Sequence, residues 1–136
     1  MANTLEVLIQ VAERKVEDMQ RQLVKTREEM VRLLQQMRSL EQEAAIAFVT
    51  AVAEDDVLAL QAAGAFQERM RREVSRLKEL ELAAQAREVT QKTELQELYA
   101  NQKRYEMLLE KQKLAKRKER MKKAQNNLDE VAGRKR

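Results

Sequence analysis

The sequence has no cysteine, proline, tryptophan or histidine, and only two glycines, two phenylalanines and two tyrosines among 136 residues. Each absence closes a class of protein. Without Cys or His there is no Cys/His metal site, no thiol nucleophile and no imidazole base. Without Cys there is no disulfide framework, so no covalent staple marks an oxidising compartment. Tight β-turns draw on Gly, Pro and Asn, and their scarcity argues against a packed sheet. Long apolar runs are missing too. The longest uncharged stretches, 44–53 and 57–67, fall well short of the roughly 20 apolar residues that span a bilayer. The opening Met1-Ala2-Asn3-Thr4 has no basic region ahead of an apolar core, as a targeting segment would. The expectation is a soluble, intracellular protein.

What remains is a helix-forming palette of Ala, Leu, Glu, Gln, Lys, Arg and Met, with charged residues at 37%. That combination reads as a coiled coil or long helix. The net charge of +4 conceals an asymmetry. Residues 1–110 carry 16 basic and 20 acidic groups, a net of −4, and residues 111–136 carry 11 basic and 3 acidic, a net of +8. A basic end on an acidic body fits a partner of negative potential.

Apolar residues in the first third follow a heptad. Ile9, Val16, Leu23, Met30, Met37 and Ala44 recur every seven residues, and Leu5, Ala12, Met19, Thr26, Leu33, Leu40 and Ala47 form a second line. Together they make the 3–4 spacing of a coiled-coil seam, with Thr26 its one polar member. Asn3 or Thr4 can cap this helix, because a short oxygen-bearing side chain satisfies a free N–H there. The helix is expected over about 4–50. Thr50, Val52 and the trio Glu54-Asp55-Asp56 then interrupt the helix formers, and Asp55 or Asp56 can cap a new helix. The reversal is expected within about 50–56, and helix two over about 57–131.

The second helix carries a weaker seam through Leu60, Met70, Val74, Leu77, Ala84, Gln91, Leu95, Leu98, Tyr105 and Leu109, passing polar Gln67, Glu81, Glu88 and Gln102. Folded back antiparallel with Phe48 opposite Phe66, paired positions sum to about 114, and Thr26 falls at the polar sites Glu88 and Gln91. A buried polar layer of this kind fixes register at a cost in stability. The expected fold is therefore all-α: a long antiparallel two-helix coiled-coil hairpin, monomeric, forming a single domain. A parallel dimer of one long helix is the rival.

Two surfaces exceed what the seam needs. Near the turn, Ile46, Phe48, Val49, Val52, Val57, Leu58, Leu60 and Phe66 either cover the loop or form a docking patch. Beyond Leu109, helix one is exhausted, and from about 110 helix two is an overhang. There Met107, Leu114, Met121 and Leu128 recur every seven residues, with Ala124 and Val131 beside them, among Lys111, Lys113, Lys116, Arg117, Lys118, Arg120, Lys122 and Lys123. Such a basic amphipathic helix suits a protein groove, an anionic lipid surface or nucleic acid, or is a solvated helix end. The last four residues, Gly133-Arg134-Lys135-Arg136, are expected to be disordered. Carboxylates on the outside of a rod have no pocket to shift their pKa, and no Gly-rich phosphate loop is present. The protein is expected to be no enzyme and to need no cofactor or metal.

The two ends carry a resemblance. Leu8-Ile9-Gln10-Val11-Ala12-Glu13-Arg14-Lys15-Val16-Glu17-Asp18 and Leu128-Asp129-Glu130-Val131-Ala132-Gly133-Arg134 resemble the opening and closing motifs of the flagellar export protein FliJ family. The match covers about 18 residues in motif and the whole chain in layout. The resemblance implies a soluble component of the bacterial flagellar type III export apparatus, cytoplasmic and peripheral at the inner membrane. It implies an antiparallel coiled coil like the stalk of rotary ATPases, with three partners: the export ATPase hexamer, the cytoplasmic domain of the export-gate membrane protein, and export chaperones. By position along the hairpin it assigns the gate contact to Phe48, Phe66 and Met70 at the tip. Glu41 and Ala44 stand where the family has larger apolar groups. The terminal end, with Val7, Val11, Leu114, Lys116, Arg117, Lys118, Met121 and Lys122, would meet the ATPase ring. Thr26, Glu88 and Gln91 are the register layer. Three other readings stand beside this one: a structural coiled-coil scaffold, an injectisome stalk, and a nucleic-acid binder using the basic tail. The last has no aromatic stacking groups and no groove-reading motif, so no specific nucleic acid is expected.

Overall fold

A computed structural model describes residues 3–134 of the chain as two α-helices, α1 (Thr4–Glu54) and α2 (Val57–Arg134), joined by Asp55-Asp56. The architecture is an all-α helical hairpin. Both helices start in the same way. Asn3 Oδ1 accepts the N–H of Leu5 at 3.2 Å, and the Asn3 carbonyl accepts Val7 N–H. Asp56 Oδ1 likewise accepts Leu58 N–H at 3.1 Å, and its carbonyl accepts Leu60 N–H. In each case the cap side chain satisfies an orphan donor of the first turn.

The reversal is made without glycine. Asp55 adopts φ 50°, and its N–H donates to the Val52 carbonyl at 3.2 Å. A left-handed residue at this place usually is Gly, and Asp and Asn are among the few others that tolerate it. Helix one is longer than the expected 4–50. Thr50 does not break it, because its hydroxyl bonds the Ile46 carbonyl one turn back at 2.8 Å and leaves the backbone helical. Ala51 then continues the seam as a buried residue. At the other end α2 extends past 131, and Gly133 and Arg134, expected to be disordered, belong to it. Lys135 and Arg136 lie outside the described residues.

The contacts group into two units, one of Met19–Glu94 and one of the segments up to Asp18 and from Leu95. In the first, Leu33, Met37, Val74 and Leu77 form the core, and Leu40 packs against it. Ala51 and Ala63 are buried nearer the turn, and Ala84 is fully buried at the register position of the larger Met30. Leu60, expected in the seam, is exposed. Its register position falls opposite Glu54, the last residue of α1, and the buried residues of α2 begin at Ala63. The antiparallel pairing of this unit is seen in the ion pairs Arg27–Glu88 and Glu29–Arg87, which exclude the parallel dimer of one continuous helix. In the second unit Ala12 and Val16 are buried on α1. They face a line of half-buried residues on α2 that includes Leu95, Leu98, Tyr105 and Leu109. Asn3 Nδ2 donates to Gln112 Oε1 beside the start of α1.

Every line position named on α1, from Leu5 to Ala47, is buried or half-buried. With only one stripe covered per helix, each core side chain matters. Leu77, 3% exposed, is expected to cost about 2–4 kcal/mol when cut to Ala. Gly64 lies inside α2 with open space around its Cα, so Gly64→Ala is expected to stabilise by about 0.5–1 kcal/mol through helix propensity. Thermal melts followed by circular dichroism check both, the first lowering and the second raising the midpoint.

Candidate interaction surfaces

The tip surface belongs to the unit Met19–Glu94. Phe48 is 46% exposed, and Ile46, Val49, Val52, Val57 and Leu58 are exposed as well, Leu58 to 73%. These side chains do not close over the two-residue loop. The solvent-facing side of the tip is therefore apolar. Phe66 and Met70 are half-buried on α2. The Arg69 guanidinium stands 5.9 Å from the Phe66 ring centroid, a cation–π contact that the sequence did not single out. Met70 lines a groove with Glu41, Ala44, Arg71, Val74 and Lys78. Glu41 and Ala44 border this groove on the α1 side.

The other surface lies in the unit built from the chain ends. Val7 and Val11 are exposed on the paired part of α1. Leu114, Lys116, Arg117, Lys118, Met121 and Lys122 lie beyond Gln112 on α2, and all are exposed, Met121 to 70%. Along α2, Lys116 stands four residues, about 6 Å of helix, beyond Gln112, and Lys122 ten residues, about 15 Å. The apolar line of Met107, Leu114, Met121 and Leu128 is exposed throughout. Its upper part borders a groove lined by Lys103, Met107, Glu110, Lys111, Leu114 and Arg117. Lys103 and Glu110 were not singled out in the sequence. The signal for them was their heptad position, four residues before and three after Met107.

The polar layer is built differently from a hydrogen bond across the seam. Thr26 is 3% exposed, and its hydroxyl donates to the Gln22 carbonyl within α1 at 3.1 Å. It therefore satisfies itself locally and adds no bond to α2. Gln91 Oε1 is buried without a hydrogen-bond partner among the described residues. Glu88, 19% exposed, is the member that reaches out. It pairs with Lys92 at 3.1 Å and with Arg27 of α1 at 3.6 Å. The Lys92 hydrogen bond holds its pKa below the usual glutamate value, helped by the charges of Lys92 and Arg27 and opposed by partial desolvation. One residue away, Arg87 donates twice to the Glu29 carboxylate, both contacts 3.2 Å. The two cross-helix pairs record the register at the rim of the layer.

Among the described residues no helix is long and apolar enough to cross a membrane, and no cluster of His, Cys, Asp or Glu is arranged to hold a metal ion. Fold and surfaces together define a coiled-coil protein whose exposed apolar and basic faces lie outside its seam. The family model described as Flagellar FliJ protein matches residues 1–135, and the chain belongs to that family. No curated protein and no solved structure matches it. Membership makes the protein a component of the flagellar export apparatus, in a family that is non-enzymatic.

Glu88 supplies a pH test. A carboxylate whose folded pKa is depressed adds stability above its unfolded pKa, and that stability is lost as pH falls through the folded value. The wild type is therefore expected to exceed Glu88→Gln in denaturation midpoint at neutral pH. The difference should shrink as pH drops below 4.5, the ordinary glutamate value. Urea melts of both proteins between neutral and acid pH measure it.

Proposed function

We propose that the protein is a non-catalytic adaptor of the flagellar export apparatus, with a separate partner on each of its two surfaces. The basic terminal end docks on the export ATPase hexamer, using Leu114, Lys116, Arg117, Lys118, Met121 and Lys122, with Val7 and Val11 on the paired part beside it. The tip, through Phe48, Phe66 and Met70, docks on the cytoplasmic domain of the export-gate membrane protein. Held between the two as a monomer at the cytoplasmic face of the inner membrane, it aids the handover of export chaperones.

The observation that carries this reading is the unpartnered length of α2. In a family of flagellar proteins, residues 113–134 continue as helix past the last tie to α1 at Gln112, with residues 111–123 holding eight basic groups against one acidic. Helix formers alone do not require such a charge density, and it is costly to leave unneutralised. The exposed tip residues support the second contact, since apolar clusters of this kind mark interaction sites. Contacts made through exposed lysines and arginines are screened by salt.

Lys116→Glu with Lys118→Glu is expected to weaken capture of the export ATPase at low salt by about tenfold or more, as the wild type weakens at high salt. Phe48→Ala with Phe66→Ala is expected to abolish gate-domain binding while circular dichroism remains helical. Pull-downs of the two purified partners, each with both double variants, separate the assignments. Unchanged ATPase capture by the lysine variant overturns the first, and unchanged gate binding by the phenylalanine variant overturns the second.

A further inference from the structure

The apolar line of the overhang does not continue the hairpin seam. At 100° per residue, Met107 and Leu114 point to the side of α2 roughly opposite Leu98, Tyr105 and Leu109, which face α1. The polar run of Gln112, Lys116, Glu119 and Lys123 occupies the continued seam instead. A longer α1 would therefore find nothing apolar to pack on. The second line forms a heptad seam of its own. Met107, Leu114, Met121 and Leu128 take one core position, and Glu110, Arg117, Ala124 and Val131, three residues on, take the other. The flanking positions are Lys111 and Lys118 on one side and Lys113 and Arg120 on the other, so all four flanks over 111–120 are basic. The groove lined by Glu106, Met107, Glu110, Lys111, Leu114 and Arg117 is the upper part of this seam, where Glu106 is the one acidic flank.

Flanking charges choose the partner of a coiled coil. A second copy of this chain is excluded, because Lys113 of one copy would meet Lys118 of the other in a parallel pair, and like flanks would meet in an antiparallel pair. A bilayer asks for a broad apolar face. This seam is a narrow stripe interrupted by Glu110 and Arg117, with cations on every side of the helix. We propose that the overhang is one strand of a heterotypic coiled coil, and that its partner is an acidic amphipathic helix. That helix carries apolar residues against Leu114, Met121, Ala124, Leu128 and Val131, and carboxylates against Lys111, Lys113, Lys118 and Arg120. A further carboxylate lies opposite Arg117, whose core position leaves its charge uncompensated otherwise. The inference deepens the reading of the overhang as a partner site and rests on it, but names the chemistry rather than the protein.

The test uses the full chain and two labelled synthetic four-heptad peptides with identical leucine cores, one with Glu and one with Lys at every flanking position. Fluorescence anisotropy is read at about 0.1 M salt and again at about 1 M, where the Debye length falls to roughly 3 Å. The Glu peptide is expected to bind at least about tenfold more tightly than the Lys peptide at the lower salt, from four flanking pairs. The joint substitution Lys111→Glu, Lys113→Glu, Lys118→Glu and Arg120→Glu is expected to invert that preference. Leu114→Asp with Met121→Asp, at exposed positions that the hairpin does not use, is expected to remove binding of either peptide. Equal affinity for the two peptides overturns the proposal. So does binding that survives the aspartate variant, and so does sedimentation of the chain with phosphatidylglycerol vesicles in the absence of any peptide binding. The readout contains no export ATPase. A chain that prefers the Glu peptide yet fails to capture the ATPase leaves the acidic-helix inference standing and removes only the ring assignment.

Discussion

Two facing heptad lines are the whole of this protein's core, and every other property follows from that limit. A helix with 3.6 residues per turn buries one stripe against one neighbour, so a two-helix protein has no third layer to absorb what the stripe leaves over. The buried side chains are of modest size, chiefly Leu, Val, Met and Ala, and the most deeply buried is Ala84. Small and large residues alternate across the seam, as at Ala84 and the Met30 register position, and close approach rather than bulk keeps the interface dense. Helix propensity supplies the rest, which is why the interior of so long a pair tolerates so few Gly and no Pro.

The seam is unequal on its two sides. α1 carries one polar member, Thr26, while α2 carries Gln67, Glu81, Glu88, Gln91 and Gln102. The structure handles this asymmetry by letting polar groups leave the interface where they can. Thr26 turns its hydroxyl back onto its own helix, and Glu88 swings to the rim to meet Lys92 and Arg27. Gln91, whose Oε1 stays buried without a hydrogen-bond partner among the described residues, is the residual cost, and an orphaned acceptor of this kind destabilises by about 1–3 kcal/mol. Register is thus better attributed to the rim pairs Arg27–Glu88 and Glu29–Arg87, backed by the apolar positions on either side, than to a hydrogen bond through the layer.

The fold was legible because its determinants are periodic and local. The spacing of Ile9 through Ala44 and Leu5 through Ala47 specified the buried face of α1. The matching polar positions specified the antiparallel direction, and an Asp at 55–56 marked a cap. The departures from the expected pattern have separate physical causes. Thr50 looked like a breaker, yet its back-bond to Ile46 and the burial of Ala51 next to it carry α1 onward. Leu60 looked like a core residue, yet its register position falls opposite Glu54, where α1 stops, and the buried residues of α2 begin at Ala63. Gly133 looked like an end, yet helix continues through it. The surfaces were legible as surplus. Apolar residues off the seam are visible in any sequence with a known period, but a contact such as Arg69 over Phe66 depends on rotamers that no spacing rule gives.

The charge distribution follows from the change of apolar face along α2. While α2 faces α1, its exposed surface carries both signs, which solubilise a pair without attracting a particular partner. The segregation of eight basic groups into 111–123 begins where the partner helix stops and the apolar line moves to the opposite side. If the overhang were only a solvated end of the hairpin, nothing would demand that its apolar residues keep a seven-residue period, nor that they abandon the face they held up to Leu109. A period kept without a partner inside the chain, and rotated away from the one helix that could have supplied it, is a pattern that intramolecular packing does not produce. The same one-stripe rule that builds the hairpin therefore identifies the second stripe as built for a partner outside it.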